Sequence, residues 1–372
     1  MGTPANVDAM EELLASAEAL IGIRSTADRP DELHRALGLV LDLVGPGFDV
    51  RRFESRGKPS ALVTHPDRPG RPQVILNGHL DVVPGTPEQF RPRREGDRLY
   101  GRGTHDMKVA ALVLATVFRS LAAELPYPIA LQLVTDEEVG GFDGTGHQVE
   151  QGVRGDFVVI GENSALRVVT ESKGLARARL IASGQTAHAA YPWLGSNALL
   201  ALHAGIGRLL ERYPVPASEA WTTTVNVARI ETTNEAVNQV PADATAWLDI
   251  RFPPEDTDLT GRSPDEIATH LRKITGLEVR VDALGTPHRA DPSSARVRAL
   301  QEAARATGYS GELLRKHGAA DSRFYFPLGV DAVIFGPAGN GQHGPDEYVE
   351  ISSLGPYAQA LSLFLKSGSL YT

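Results

Sequence analysis

In V-I-L-N-G-H-L-D-V-V, residues 74–83, a short apolar, strand-like run (74–76) leads into an imidazole and a carboxylate, His79 and Asp81. The same pattern recurs three times. I-A-L-Q-L-V (129–134) leads into T-D-E-E-V-G-G, F-V-V-I (157–160) into G-E-N-S, and D-A-V-I-F (331–335) into G-P-A-G-N-G-Q-H-G. Runs without polar alternation suit strands buried on both faces, as in a parallel sheet covered by helices. Helical spacing of apolar residues at 8–22, 31–44, 108–123, 293–307 and 352–366 supplies that cover. The fold class expected is therefore α/β, a mostly parallel mixed sheet flanked by helices. In such sheets functional groups gather beyond the carboxyl ends of the strands. Here those groups are His79, Asp81, Glu137, Glu138, Glu162 and His343. Oxygen and imidazole donors converging at one sheet edge suit a divalent metal, and the chain reads as a metal hydrolase.

The pattern changes after about residue 173. L-A-R-A-R-L-I-A (175–182) alternates as a half-exposed strand does, and a helix (196–213), strands (222–230 and 243–252), a helix (264–275) and a strand (277–283) follow. This order suggests a small α+β layer with helices on one face of an antiparallel sheet. The expected organisation is a discontinuous α/β domain, 1–173 and 287–372, interrupted by an inserted domain, 174–286.

Composition narrows the partners. At 372 residues the chain is long for one domain, and 37 basic against 46 acidic residues give a net charge of −9. That balance argues against nucleic acid and offers no anchor for an anionic membrane surface. The first residues lack the basic start and apolar core of a signal peptide, and the apolar stretch 109–118 is too short to span a bilayer. The chain has no cysteine, which removes disulfides, thiolate ligands and a cysteine nucleophile. A cytoplasmic enzyme with a small-molecule substrate is expected.

Asp81 lies two residues after His79, so both share a face if the strand continues, and its carboxylate can fix the imidazole tautomer. Alone, an H-x-D of this kind reads as a turn aspartate beside a buried histidine. G-R-G-T-H-D-M-K (101–108) resembles a dinucleotide-binding glycine motif, but Asp106 replaces the last glycine and would repel a pyrophosphate. Asp106 can be a helix N-cap, a metal bridge or both. Glu137 and Glu138 diverge if the backbone stays extended, one free to bind metal and the other to act as a base toward water. Glu162 ends an apolar run where an unpaired carboxylate is costly, and His343 sits in a glycine-rich loop. His79, Asp106, Glu138, Glu162 and His343 together supply two imidazoles and three carboxylates, an inventory for two metals about 3.5–4 Å apart.

The ordered set G-H-L-D-V-V, G-R-G-x-x-D-M-K, D-E-E-V-G-G, G-E and G-x-x-x-H-G-P-D-E (339–347) resembles the acetylornithine deacetylase / succinyl-diaminopimelate desuccinylase family of dinuclear zinc metallopeptidases, relatives of aminoacylase and glutamate carboxypeptidase. The resemblance implies a zinc-exopeptidase-like domain with a ferredoxin-like lid through which a homodimer forms. It implies that His79, Asp106 and Glu162 hold one metal ion, and Asp106, Glu138 and His343 the other. The ions would be zinc, with cobalt or manganese as alternatives. It makes Asp81 the partner of His79 and Glu137 the general base. It matches His188, in S-G-Q-T-A-H-A-A-Y-P (183–192), to a lid histidine that stabilises the oxyanion in a neighbouring subunit. Asn238 and Arg251 match lid positions that contact substrate carboxylates. In H-G-A-A-D-S-R-F (317–324), Ala319 and Ala320 stand where desuccinylases carry hydroxyl residues, which argues against succinyl-diaminopimelate. Asp321 and Arg323 remain there, Arg323 as a candidate substrate contact. The expected activity is hydrolysis of an N-acyl-amino acid. The alternatives are a dipeptidase or carboxypeptidase acting on short peptides, and a non-catalytic relative.

Overall fold

The computed structural model describes residues 4–368, so the ends of the chain, including the first three residues of the N-terminal stretch read above, lie outside the described residues. The chain divides into two compact units. One comprises 1–170, 289–315 and 320–372, and the other 171–288 with 316–319.

The first unit is built on a mixed sheet. Its strands run in the order Asp49–Ser55, Lys58–Thr64, Ile129–Val134, Val74–His79, Phe157–Ile160, Asp331–Ile334 and Val168–Ser172. The four strands from Ile129–Val134 to Asp331–Ile334 are mutually parallel, with His79 paired to Val134 and Asn77 to Ile160. Three of these four are buried along their whole length, as the absence of alternation predicts, and Asp331–Ile334 is buried beyond its first residue. Their carboxyl ends therefore open on one edge. The α/β expectation holds. The segment 60–64 also reads as a strand and is one, within Lys58–Thr64, whereas its hairpin partner Asp49–Ser55 is an addition, because that exposed strand carries no apolar run that could announce it.

Helix Lys108–Leu121 is apolar on nearly every side, since it packs between the sheet and the helices Pro4–Ile21, Pro30–Val44 and Ile351–Leu365. Its approach to the sheet is close. A Cβ on Gly78 would stand 2.9 Å from the Ala111 Cβ, so only glycine fits where the helix crosses the strand that carries His79. A second, small sheet joins Gly339–Asn340, Tyr348–Glu350, Arg98–Tyr100 and Arg93–Glu95.

The other unit runs strand, helix, strand, strand, helix, strand. Its antiparallel sheet has the order Thr224–Glu231, Asp243–Phe252, Gly174–Ser183, Glu278–Gly285. Helices Ala198–Arg212 and Pro264–Thr275 share one apolar cluster with the alternate buried residues of these strands, including Ala178, Leu180 and Ile250. This is the ferredoxin-like arrangement. Among the described residues no helix is long and apolar enough to cross a membrane.

Gly78→Val is expected to push the helix off the sheet and destabilise the protein by about 1–3 kcal/mol, the usual range for overpacking, read as a lower midpoint in thermal unfolding.

Candidate metal centre

The strand that delivers His79 ends there rather than at residue 83, and the Leu80 N–H makes the last ladder bond, to the carbonyl of Val134 opposite His79. Asp81 reaches the imidazole from a loop rather than along a continuing strand. His79 Nδ1 lies 3.1 Å from the Asp81 carbonyl oxygen and 3.5 Å from its carboxylate. The carboxylate has a second task. Its two oxygens accept the backbone N–H groups of Glu137 and Glu138 at 3.2 and 3.0 Å, fixing the turn that carries both glutamates.

That turn corrects a premise. The backbone at 137–139 is a short 3₁₀ turn, not an extended continuation, and it closes on Gly140 in the left-handed region at φ +119°. The two glutamates still part company. Ligand atoms of His79, Glu137 and Glu162 lie within 4.8 Å of one another, and those of Asp106, Glu138 and His343 form a second group of the same kind. Asp106 links the groups, with Oδ1 2.8 Å from His79 Nε2 and Oδ2 3.2 Å from His343 Nε2. His343 Nε2 is also 3.0 Å from Glu138. Asp106 does not cap the following helix, whose N-cap is Met107 with no side-chain cap.

Electrostatics follow from this crowding. Burial and the neighbouring Glu162 hold the Glu137 carboxyl well above its ordinary range, and burial likewise raises Glu138. Burial opposes a charge on His79, but the hydrogen bonds to Asp106 and Asp81 prevail and raise it well above the usual imidazole value. Contacts with Asp106 and Glu138 push His343 up to about 10. Asp106 resists its burial because His343 and His79 bond to it, and it is held well below the carboxylate range. The chain thus draws positive charge into a carboxylate-rich edge. Oxygen and imidazole donors in two compact groups linked by Asp106 fit divalent cations.

Several groups here were not legible as site residues. Gln342 donates to Asp106 Oδ2 at 2.5 Å. Lys108, fully enclosed and drawn down to about 7 by burial, donates to the Leu20 and Ile23 carbonyls where the first helix ends. The lysine of G-R-G-x-x-D-M-K was the only sequence signal for that anchor.

Arg323 is buried, donates to the Gly140 carbonyl and lies over the Phe142 and Phe324 rings, 5.3 and 4.8 Å from their centroids. Asp321 is buried and accepts the Thr145 hydroxyl at 2.5 Å. In the ferredoxin-like unit, His188 and Asn238 are exposed and adjacent. His188 bridges to Gln239, and the Ala189 N–H donates to the Asn238 carbonyl at 2.9 Å. Arg251 pairs with Asp249 at 2.5 Å.

Residues 75–367 match the model of the peptidase family M20/M25/M40. The chain belongs to that family. The chain is 30% identical over 311 residues to a succinyl-diaminopimelate desuccinylase of Bordetella parapertussis, covering 77% of this chain and 80% of that one. It is 28% identical over 390 residues to the Burkholderia multivorans enzyme of the same name, covering 93% and 96%. The fold is shared with aminopeptidase PepT of Bacillus cereus (TM-score 0.76, 18% identity, 98% of this chain and 99% of that one). It is shared equally with the M20 metallo-carboxypeptidase Sso-CP2 of Sulfolobus solfataricus (TM-score 0.76, 19% identity, 97% and 99%). The M20 chain described here is thus a metal-dependent hydrolase of amide or peptide bonds.

Asp81→Asn keeps the shape of the side chain but removes its charge beside His79 and offers the glutamate turn one acceptor fewer. It is expected to weaken metal binding about 10–100-fold, the usual effect of removing a partner of a metal ligand, as read by competition with a chromophoric chelator.

Proposed function

We propose that this M20 protein hydrolyses the amide bond of N-acyl-amino acids with two divalent metal ions, zinc foremost. The observation that carries the reading is the convergence of His79, Glu137 and Glu162 and of Asp106, Glu138 and His343 at the carboxyl ends of parallel strands. In this reading His79, Asp106 and Glu162 hold one ion, Asp106, Glu138 and His343 the other, and Glu137 is left for proton transfer. The ions, when bound, supply Lewis acidity that polarises the scissile carbonyl and acidifies a water.

The chain's own residues do the rest. Glu137, whose carboxyl already holds its proton more tightly than an ordinary glutamate because of burial and Glu162, takes the proton of the attacking water and returns it to the leaving amine. Asp106, held ionised by two imidazoles, keeps both ligand groups in register. Asp81 fixes the His79 ring and the glutamate turn.

The family resemblance supports further roles. His188 is proposed to stabilise the oxyanion formed in a second copy of the chain, within a homodimer that assembles through the ferredoxin-like unit, 174–286, acting as the lid of the discontinuous domain 1–173 and 287–372. Asn238 and Arg251 are proposed to orient a substrate carboxylate, Arg323 to contact a different polar group of the substrate, and the compartment is proposed to be the cytoplasm. The alanines at 319 and 320 favour an acyl group other than succinyl on diaminopimelate. A peptide substrate is the second reading, favoured by the near-complete overlap of the fold with an aminopeptidase and a carboxypeptidase.

Assay of the zinc-loaded protein against N-acetyl-amino acids, N-succinyl-amino acids and dipeptides separates the readings: acyl-amino acids are the expected substrates, and turnover of dipeptides alone would replace the first with the second. Glu137→Gln is expected to lower kcat by on the order of 10²–10⁴-fold with bound metal unchanged. Near-normal turnover by that variant would remove Glu137 from proton transfer. His188→Ala should lower kcat by on the order of 10²-fold with a smaller effect on KM, and the reverse split would assign His188 to substrate binding instead.

A further inference from the structure

Glu347 has no part in the roles above, yet its carboxylate is enclosed, with 2% of the residue exposed. Oε1 accepts three backbone N–H groups in succession, from Gly103 at 2.9 Å, His105 at 3.0 Å and Asp106 at 3.1 Å. Oε2 takes Arg102 Nη1 at 2.5 Å, and Arg102 is itself only 3% exposed. The same guanidinium turns Nη2 toward the His343 carbonyl at 3.3 Å. One buried ion pair therefore ties the loop that presents Asp106 to the loop that presents His343.

The surroundings keep this pair in register. In the small sheet Tyr348 lies opposite Tyr100 and Val349 opposite Leu99, and the Gly101 N–H donates to the Glu347 carbonyl at 3.0 Å. The His343 backbone is in the left-handed region at φ +60°, a conformation that a non-glycine residue keeps only when its surroundings impose it. Arg102 on the His343 carbonyl and Gln89 on the Gly344 carbonyl, at 2.8 Å, are the side chains that grip that turn.

An ion pair buried this deeply gains little over a well-packed apolar pair, so stability alone is a weak reason for it. An apolar pair would, however, leave three N–H groups and a strained carbonyl without these partners.

We propose that Arg102 and Glu347 are positioning residues that clamp the Asp106 and His343 loops together, so that the Asp106–Glu138–His343 group is formed before metal arrives. This rests on the assignment of those three residues as ligands.

The test is equilibrium competition of the metal-free, full-length protein for Zn²⁺ against a chromophoric chelator, with the Co²⁺ absorption spectrum as a second readout. Wild type and Asp106→Asn come first. If Asp106→Asn binds metal as wild type does, the ligand assignment falls and the clamp with it.

With that assignment standing, two variants test the clamp. Glu347→Gln keeps an oxygen for the three N–H groups and loses the charge facing Arg102. Arg102→Lys keeps the charge and loses the second N–H to the His343 carbonyl. Both are expected to weaken one class of bound metal about 10–100-fold and to alter the Co²⁺ band of that class, with circular dichroism as in wild type. A merely structural pair would lower the thermal midpoint and leave metal affinity and spectrum unchanged in the folded protein, which overturns the proposal. If Glu347→Gln does not fold, Arg102→Lys decides by the same criterion.

Discussion

Like charges cannot be packed together out of water without a counter-charge among them, and this constraint governs the carboxyl edge of the main sheet. Glu137, Glu138, Glu162 and Asp106 are brought there by strand ends and loops whose own burial is dictated by apolar runs. The sheet leaves them little room to separate. The imidazoles of His79 and His343 answer part of the surplus by holding protons more tightly than usual. Asp106 stays ionised between them. A divalent cation in each group answers the same surplus with fewer protons, which is why the edge suits metal rather than a purely organic acid–base pair.

The supporting frame serves that crowding. Glycine at 78 lets the apolar helix press on the His79 strand, and Lys108 at the head of that helix fastens to the end of the first helix through two carbonyls. Asp81 spends both carboxylate oxygens on the glutamate turn while facing His79. These contacts fix backbone rather than substrate. They explain why the two donor groups are compact although their members come from five separate stretches of chain.

Much of this is legible in the sequence. Apolar runs without alternation announced the parallel strands, and the polar residues that end them announced the edge. Two local readings relied on extended backbone that does not persist: the strand stops at His79, and 137–139 coils. The coil depends on hydrogen bonds to Asp81, a residue distant in sequence. Arg102 and Glu347 carried no legible role for a related reason. Each sits in a quoted motif, but their pairing spans most of the chain, and residue type alone does not distinguish a buried pair from two solvated charges. The strand Asp49–Ser55 is not legible because its two apolar residues, Val50 and Phe53, form no run.

The long segment of the ferredoxin-like unit, 171–288, begins and ends at neighbouring points. Gly174 packs against the backbone of Gly285 and Pro287, and Ser172 Oγ lies 3.5 Å from His288 Nδ1. The strands entering and leaving the unit belong to one sheet edge, where Val168–Ser172 and His288–Arg289 are hydrogen-bonded neighbours. A short reverse turn could span the same gap. The long inserted segment is thus a detour: the chain leaves the sheet and rejoins it at one place, on two adjacent strands.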